Sequence, residues 1–165
     1  KNMRIGLGID THQLIPGKSM RLGGVDIPSN VSIKAHSDGD IIYHSIADSI
    51  LGAIGAGDIG DHFPDTDPKN KDLDSEVIVR LAIEKALSMN LILNNLDITL
   101  LLELPKISDY KDEIKENLIK IFVEATKDNY TNNMFNIKAS TSESLGFIGK
   151  GQGVTCYCIA SLKNL

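Results

Sequence analysis

Two short strings in the first 44 residues hold three of the four histidines, each with aspartates close by, and so the side chains best able to gather around a metal ion. Asp10-Thr11-His12 ends a strand-like run. Residues two apart on an extended segment share a face, so one carboxylate and one imidazole can converge on an ion. Ala35-His36-Ser37-Asp38-Gly39-Asp40 is followed by His44. Asp40, His44 and Asp48 recur every four residues and line one polar face of a predicted helix. Taken singly, each histidine reads equally well as a satisfied surface or core residue. Taken together, Asp10, His12 and His44 offer one carboxylate and two imidazoles, the three-ligand set of a catalytic zinc with its fourth position open. An ion held in that way polarises a substrate oxygen.

Two further strings carry phosphate and hydroxyl chemistry. Asp58-Ile59-Gly60-Asp61-His62-Phe63-Pro64-Asp65-Thr66-Asp67 places carboxylates at 58, 65 and 67 in a loop bounded by Gly and Pro. Such a loop grips hydroxyl groups or a hard cation, or is simply a solvated turn. His62 lies among acidic residues in that loop and is expected to be exposed and not a ligand. Ala139-Ser140-Thr141-Ser142-Glu143 leads to Gly146-Phe147-Ile148-Gly149-Lys150-Gly151. Small hydroxyl residues at a strand end present hydroxyls and backbone N–H groups to a phosphate. Glu143 can hold Mg2+ between phosphate oxygens. The competing reading is a helix cap, with Ser140 or Thr141 capping and Glu143 closing a capping box.

The elements that must position these residues follow from patterning. Met3 to Asp10 reads as a strand, and Gly23-Gly24 with Pro28 marks a hairpin within Lys18 to Pro28. Ser29 to Ile33 reads as a link. Ile41, Ile42, Ile46, Ile50, Leu51 and Ile54 recur at helical spacing, predicting a helix from Asp38 to Gly57 with Asp38 as its cap. Asp58 to Pro68 is a predicted loop. A second helix is predicted over Ser75 to Met89, with Val77, Leu81, Ile83 and Leu87 inward, and a third over Tyr110 to Thr126. Strands are predicted within Leu91 to Glu103, over Phe135 to Ser140 and over Val154 to Leu162, with a helical turn at Ser142 to Gly146. Helices alternating with strands point to an α/β or α+β sandwich.

Composition narrows the function classes. The chain has 165 residues, which predicts one domain over 1–165, and 42% are apolar and 24% charged, an ordinary globular usage. The formal charge of −5 is a poor footprint for a nucleic-acid binder. No apolar run is long enough to span a bilayer. Cys156 and Cys158 fall on one face of a predicted strand, badly placed to bond each other, and read as small core residues in a reducing compartment. The sequence opens at Lys1 directly into a strand-like pattern, with no signal peptide or transit segment in view.

These strings, in this order, resemble the 2-C-methyl-D-erythritol 2,4-cyclodiphosphate synthase family. The resemblance rests on Arg4 to His12, the Gly23-Gly24 turn, Ala35 to Asp40 with His44, Asp58-Ile59-Gly60 with Phe63 to Asp67, Pro105-Lys106, and Ala139 to Lys150. It runs over nearly the whole chain. It implies a ferredoxin-like α+β two-layer sandwich, a mixed sheet with helices on one face, assembled as a homotrimer with active sites between subunits. It also implies a lyase of the non-mevalonate isoprenoid pathway. Its substrate is 4-diphosphocytidyl-2-C-methyl-D-erythritol 2-phosphate, and its products are the 2,4-cyclodiphosphate and CMP. A bacterial cytoplasm or a plastid-type organelle suits that pathway.

Residue by residue, the resemblance makes Asp10, His12 and His44 ligands of Zn2+ and Glu143 the ligand of Mg2+ or Mn2+. His36 and Thr141 match positions that stabilise the transition state. Asp10, Thr11, His12, His36 and Ser37 fall on the phosphate side. Asp58, Ile59, Gly60, Phe63, Pro64, Asp65, Thr66 and Asp67 match the methylerythritol pocket, where Asp65 holds hydroxyls. Leu102, Glu103, Leu104, Pro105, Lys106, Ile107 and Ser108, with Ala139, Ser140 and Thr141, match the cytidine pocket, and Ser142, Glu143, Phe147 and Lys150 are further substrate-binding positions. Lys150 stands where many members carry Arg, and Tyr157 where some carry Glu, at positions lining the trimer axis where some members hold an isoprenoid diphosphate. Lys binds phosphate as a point charge without the Arg fork.

Overall fold

The computed structural model describes residues 3–165. Strand β1 (Arg4–Pro16) outruns its predicted end at Asp10 and carries Asp10 and His12 within it. A hairpin of β2 (Ser19–Leu22) and β3 (Val25–Pro28) follows, as the Gly23-Gly24 signal predicts. The predicted link at 29–33 instead contains β4 (Val31–Ile33), which pairs antiparallel with the far end of β1. Helix α1 (Ile41–Ile54) comes next, then the short α2 (Ile59–His62), a 3-10 turn at Pro68–Asn70, and α3 (Ser75–Ser88). The second half runs β5 (Leu91–Leu101), α4 (Lys111–Thr126), β6 (Phe135–Ser140), the short α5 (Gly146–Gly149) and β7 (Gly153–Asn164).

The main sheet has the order β4-β1-β7-β5-β6. Only β5 and β6 are parallel; the other pairings are antiparallel, so this is the mixed sheet of an α+β fold. Side chains alternate across a strand. Gly6, Gly8 and Leu14 of β1 and Cys156, Cys158 and Ala160 of β7 turn inward under the helices, while Ile5, Leu7, Ile9, Tyr157 and Ile159 stay exposed on the opposite face. Both cysteines are free and buried, as expected of small core residues.

Glycine sets how near α1 lies to the sheet. A Cβ on Gly6 would fall 1.9 Å from the Ser49 carbonyl oxygen, and one on Gly8 would fall 2.0 Å from the Ser45 carbonyl oxygen. Only a strand without side chains there permits such an approach. Moving along β1 by two residues moves back along α1 by about one turn, so Asp10, the next residue on that face, lies against the first turn of α1, where His44 reaches it. Ile42, Ile46 and Ile50 of α1 pack with Leu96, Ile98 and Leu100 of β5 in a core from which water is excluded. Each such side chain contributes about 2 kcal/mol through burial.

Two local expectations change. Asp38 is not the cap of α1; Asp40 is, accepting from the Tyr43 N–H, while Gly55 ends the helix in the left-handed region. On α3 the buried stripe is Ile78, Val79, Ala82, Ile83 and Ala86, so of the predicted inward set only Ile83 is fully buried. Val77 is exposed and Leu81 and Leu87 are half-buried, because docking on both α1 and α4 rotates the helix toward its alanines.

Candidate metal centre and substrate cleft

One aspartate from β1 meets a histidine from the same strand and another from α1. The ligand-type atoms of Asp10, His12 and His44 all lie within 4.8 Å of one another. Asp10 Oδ2 is 2.8 Å from His12 Nε2 and 3.1 Å from His44 Nδ1. The group is part-buried, and the two rings stand 5.7 Å apart at 44°.

The outer nitrogens decide what the inner ones can do. His12 Nδ1 faces the Lys34 carbonyl oxygen at 3.2 Å. A carbonyl only accepts, so Nδ1 carries the proton and the neutral ring turns its Nε2 lone pair to Asp10. His44 Nε2 faces Ser75 Oγ at 2.8 Å, and Ser75 Oγ in turn makes a short hydrogen bond to the Asp38 carboxylate. An ionised carboxylate only accepts, so Ser75 donates to Asp38 and His44 donates to Ser75. That assignment turns the His44 Nδ1 lone pair inward as well. Three acceptors then converge on one point, an arrangement that repels itself unless a cation sits between them. The donor set and its outer hydrogen bonds fit a divalent ion. Protons serve the same purpose in the bare protein. Burial raises the Asp10 carboxyl, but the hydrogen bonds and charges of His12 and His44 outweigh it and hold the group at about 2. The Asp10 hydrogen bond lifts His12 above its ordinary range.

Beside this group opens a cleft of about 530 Å³. Its walls include Asp10, His12, His36, Ser37 and His44 on one side and Ile59, Gly60, Phe63, Pro64 and Asp65 on the other. The predicted loop at 58–68 is thus a partly helical wall. Asp58 and Asp61 form a reciprocal capping box on α2, and Asp67 caps the turn at Pro68–Asn70. Asp58 and Asp67 are therefore committed to backbone, which leaves Asp65 as the loop's carboxylate in the cleft. Asp48 accepts from the Ile59 N–H and ties this wall to α1. Burial raises its carboxyl above the ordinary value, with the neighbouring Asp10 and Asp58 charges adding to it. His62 is half-buried rather than exposed, bonded to the Ala56 carbonyl at 2.8 Å, and is not one of the grouped ligands.

The remaining predicted residues gather elsewhere. Leu102, Pro105, Lys106, Ile107, Ser108, Ala139, Ser140 and Thr141, with Lys111, line a separate cavity of about 90 Å³. Glu103 accepts from the Ser142 N–H and hydroxyl, pinning the turn that carries Glu143. The capping-box alternative at this turn is not realised: α5 has Leu145 at its cap without a side-chain bond. Among the described residues no hydrogen bond reaches the Glu143 carboxylate, and its main chain is held in the left-handed region at φ 53°. Glu143 and Phe147 line neither the cleft nor the small cavity, and Lys150 lies with Glu103 and Leu104 along a third, open groove. Thr11 faces the other side of the sheet, bonded to Thr155 at 2.9 Å. Ser75 and Asp38 are the parts of the centre that residue type and spacing missed. A serine at a helix start signals only a terminus, and Asp38 had the look of a cap.

Against known proteins, the YgbB family model matches residues 3–163. A 2-C-methyl-D-erythritol 2,4-cyclodiphosphate synthase from Natranaerobius thermophilus is 41% identical over 99% of both chains. One from Fusobacterium nucleatum is 40% identical over 98% of this chain and 97% of its own. The solved CDP complex of IspF from Plasmodium falciparum superposes with a TM-score of 0.83 at 36% identity, over 98% of this chain and 96% of that one. With the family model spanning nearly every residue and the Asp-His-His group assembled, the chain belongs to the YgbB family.

Proposed function

We propose that this chain is a lyase that cyclises 4-diphosphocytidyl-2-C-methyl-D-erythritol 2-phosphate to 2-C-methyl-D-erythritol 2,4-cyclodiphosphate and CMP, a step of the non-mevalonate route to isoprenoids. The observation that carries the reading is the inward turn of three acceptors at Asp10, His12 and His44 beside a cleft that also holds Asp65 and Asp48. An anion carrying both a diphosphate and a phosphate does not enter a cleft lined by carboxylates without cations to neutralise it.

In this reading Asp10, His12 and His44 hold Zn2+ and Glu143 holds Mg2+ or Mn2+. Bound divalent ions supply Lewis-acid polarisation of the phosphates and neutralise the charge that builds on them. The residues do the rest by positioning. Asp65 receives the hydroxyls of the methylerythritol, with Ile59, Gly60, Phe63 and Pro64 shaping the pocket. His36 on the cleft wall and Thr141 in the small cavity steady the phosphates as charge shifts. Lys106 lies near the diphosphate, and backbone groups of 102–108 read the cytosine. The substrate's 2-phosphate oxygen bonds to the β-phosphorus, the bond from that phosphorus to the CMP oxygen breaks, and CMP leaves. No side-chain nucleophile takes part.

The same reading makes residues 1–165 one domain of ferredoxin-like type and assembles three chains, each cleft completed by a neighbour's cytidine side. Two features support it: the two halves of the predicted site line separate cavities within one chain, and Ile5, Leu7 and Ile9 are exposed by half or more on the uncovered sheet face. Among the described residues no helix is long and apolar enough to cross a membrane. A reducing compartment, cytoplasmic in a bacterium or a plastid-type organelle in a eukaryote, suits its buried free thiols.

The test is incubation with the cytidyl substrate and Mg2+ in water enriched in oxygen-18, followed by phosphorus NMR and mass spectrometry. Equal amounts of CMP and unlabelled cyclic product are expected. Solvent label in the product, or release of inorganic phosphate, assigns a hydrolase and overturns the cyclase.

A further inference from the structure

We propose that Ser75, backed by Asp38, is the positioning residue of the metal centre: it dictates which nitrogen of His44 is free for the ion. The inference rests on the reading of Asp10, His12 and His44 as a divalent-ion site and deepens it.

Ser75 is the first residue of α3 and is fully buried, 31 residues from His44 in sequence. Its hydroxyl has one proton and two neighbours. The Asp38 carboxylate takes the proton through the short contact, and Asp38 also accepts from the Ser75 N–H at 2.9 Å, so the pair is held at two points. The Ser75 oxygen is left as an acceptor 2.8 Å from His44 Nε2. Ser37 Oγ also approaches that nitrogen, at 3.3 Å, but the shorter contact takes the hydrogen. Two consequences follow. The His44 tautomer with its lone pair on Nδ1, toward Asp10, becomes the stable one, and charge on Asp38 reaches the ring through the serine. Outer partners of this kind orient a ligating imidazole and raise its basicity, and removing one typically weakens metal binding 10- to 100-fold.

The experiment measures Zn2+ affinity by chelator competition and the visible absorption of the Co2+-loaded protein, which reports ligand geometry. The proteins compared are the wild type, Ser75→Ala, Asp38→Asn and Ser49→Ala. Ser49 is the control: an equally buried hydroxyl on α1 that bonds Ile46 and Cys158, away from the ligands. Ser75→Ala is expected to lose about 10- to 100-fold in Zn2+ affinity and to shift the Co2+ spectrum. Asp38→Asn should do the same while keeping the serine, because its amide donates to Ser75 and frees the serine proton for His44 Nε2. Ser49→Ala should move neither readout. Unchanged affinity and spectrum in folded Ser75→Ala overturn the proposal, as does an equal loss in Ser49→Ala, which would mark a packing effect. If Ser75→Ala does not fold, the result for Asp38→Asn decides in the same way. Failure of the wild type to bind Zn2+ or Co2+ at all overturns the metal site itself, and the positioning role with it.

Discussion

Asp10 and Asp40 are two carboxylates near the start of the same helix, and the protein treats them in opposite ways. Asp40 is fully buried and closed by donors of the main chain: the Gly23 N–H at 2.9 Å, the Gly24 N–H at 2.8 Å and the Tyr43 N–H at 3.2 Å. It caps α1 and clamps the β2–β3 turn onto it. Asp10 faces two histidine nitrogens whose outer partners have already claimed the ring protons. Full burial pushes the Asp40 carboxyl up to about 6 against the pull of its three N–H bonds, whereas in the metal-free protein protons lying between Asp10 and the inward histidine nitrogens make hydrogen bonds that overcome burial and hold Asp10 at about 2. A carboxylate saturated by backbone donors is an architectural part. A carboxylate left among acceptors is waiting for a cation.

That contrast is most severely tested by His44→Ala. It removes one of three ligands, so zinc measured by metal analysis should fall to background and CMP release by at least about 1,000-fold, the several kcal/mol a Lewis acid supplies. Full zinc stoichiometry in that variant would refute the ligand set. The mirror experiment is Asp40→Ala. It strands two turn N–H groups and uncaps α1, so urea unfolding should show a loss of about 4 kcal/mol. The folded fraction should bind zinc within a few-fold of the wild type; a loss as large as that of His44→Ala would erase the distinction. Gly8→Ala lies between the two. Its methyl would fall 2.0 Å from the Ser45 carbonyl and must lever α1 off β1. Expected are a stability loss of about 3 kcal/mol and weaker zinc binding, because His44 moves away from Asp10.

The contrast also marks what residue types reveal and what they hide. Asp10, His12 and His44 are legible only as a set: each alone reads as an ordinary residue, but one carboxylate and two imidazoles together make the three-ligand pattern of a catalytic zinc. The Phe135–Ser140 strand and the Gly23-Gly24 hairpin are legible because β-forming runs and glycines act locally, whereas α1 stops at Gly55, two residues before its predicted end at Gly57. Asp38 and Asp40 are not separable by sequence: both precede the same apolar stripe, and only the position of the hairpin decides which one it caps. The inward face of α3 is hidden for a related reason, since Ala82 and Ala86 are chosen by the closeness of two neighbouring helices rather than by hydrophobicity. Ser75 is invisible because its importance lies entirely in what it touches. The division of the predicted site into a cleft and a separate small cavity is likewise a property of the folded chain, absent from any one motif.

The finest test of the two carboxylates is the pH dependence of stability in the metal-free protein. Asp40 binds its proton more tightly when folded, at about 6, than at the ordinary 3.8. Between those values the native state holds a proton that the unfolded chain has lost, so Asp40 makes stability fall as pH rises from about 4 to about 6. Asp10 has the opposite sign. Its folded value of about 2 lies below 3.8, so its contribution is present above about pH 4 and is lost as pH falls toward 2. The falling limb amounts to about 3 kcal/mol and the rising one to about 2 kcal/mol. Urea titrations in EDTA at half-unit pH steps should therefore show the wild type gaining stability up to about pH 4 and giving some back by about pH 6. Asp40→Asn should abolish the falling limb and Asp10→Asn the rising one. A falling limb that survives Asp40→Asn would mean that the buried cap keeps its charge throughout, and that three backbone donors suffice to ionise a carboxylate in the core.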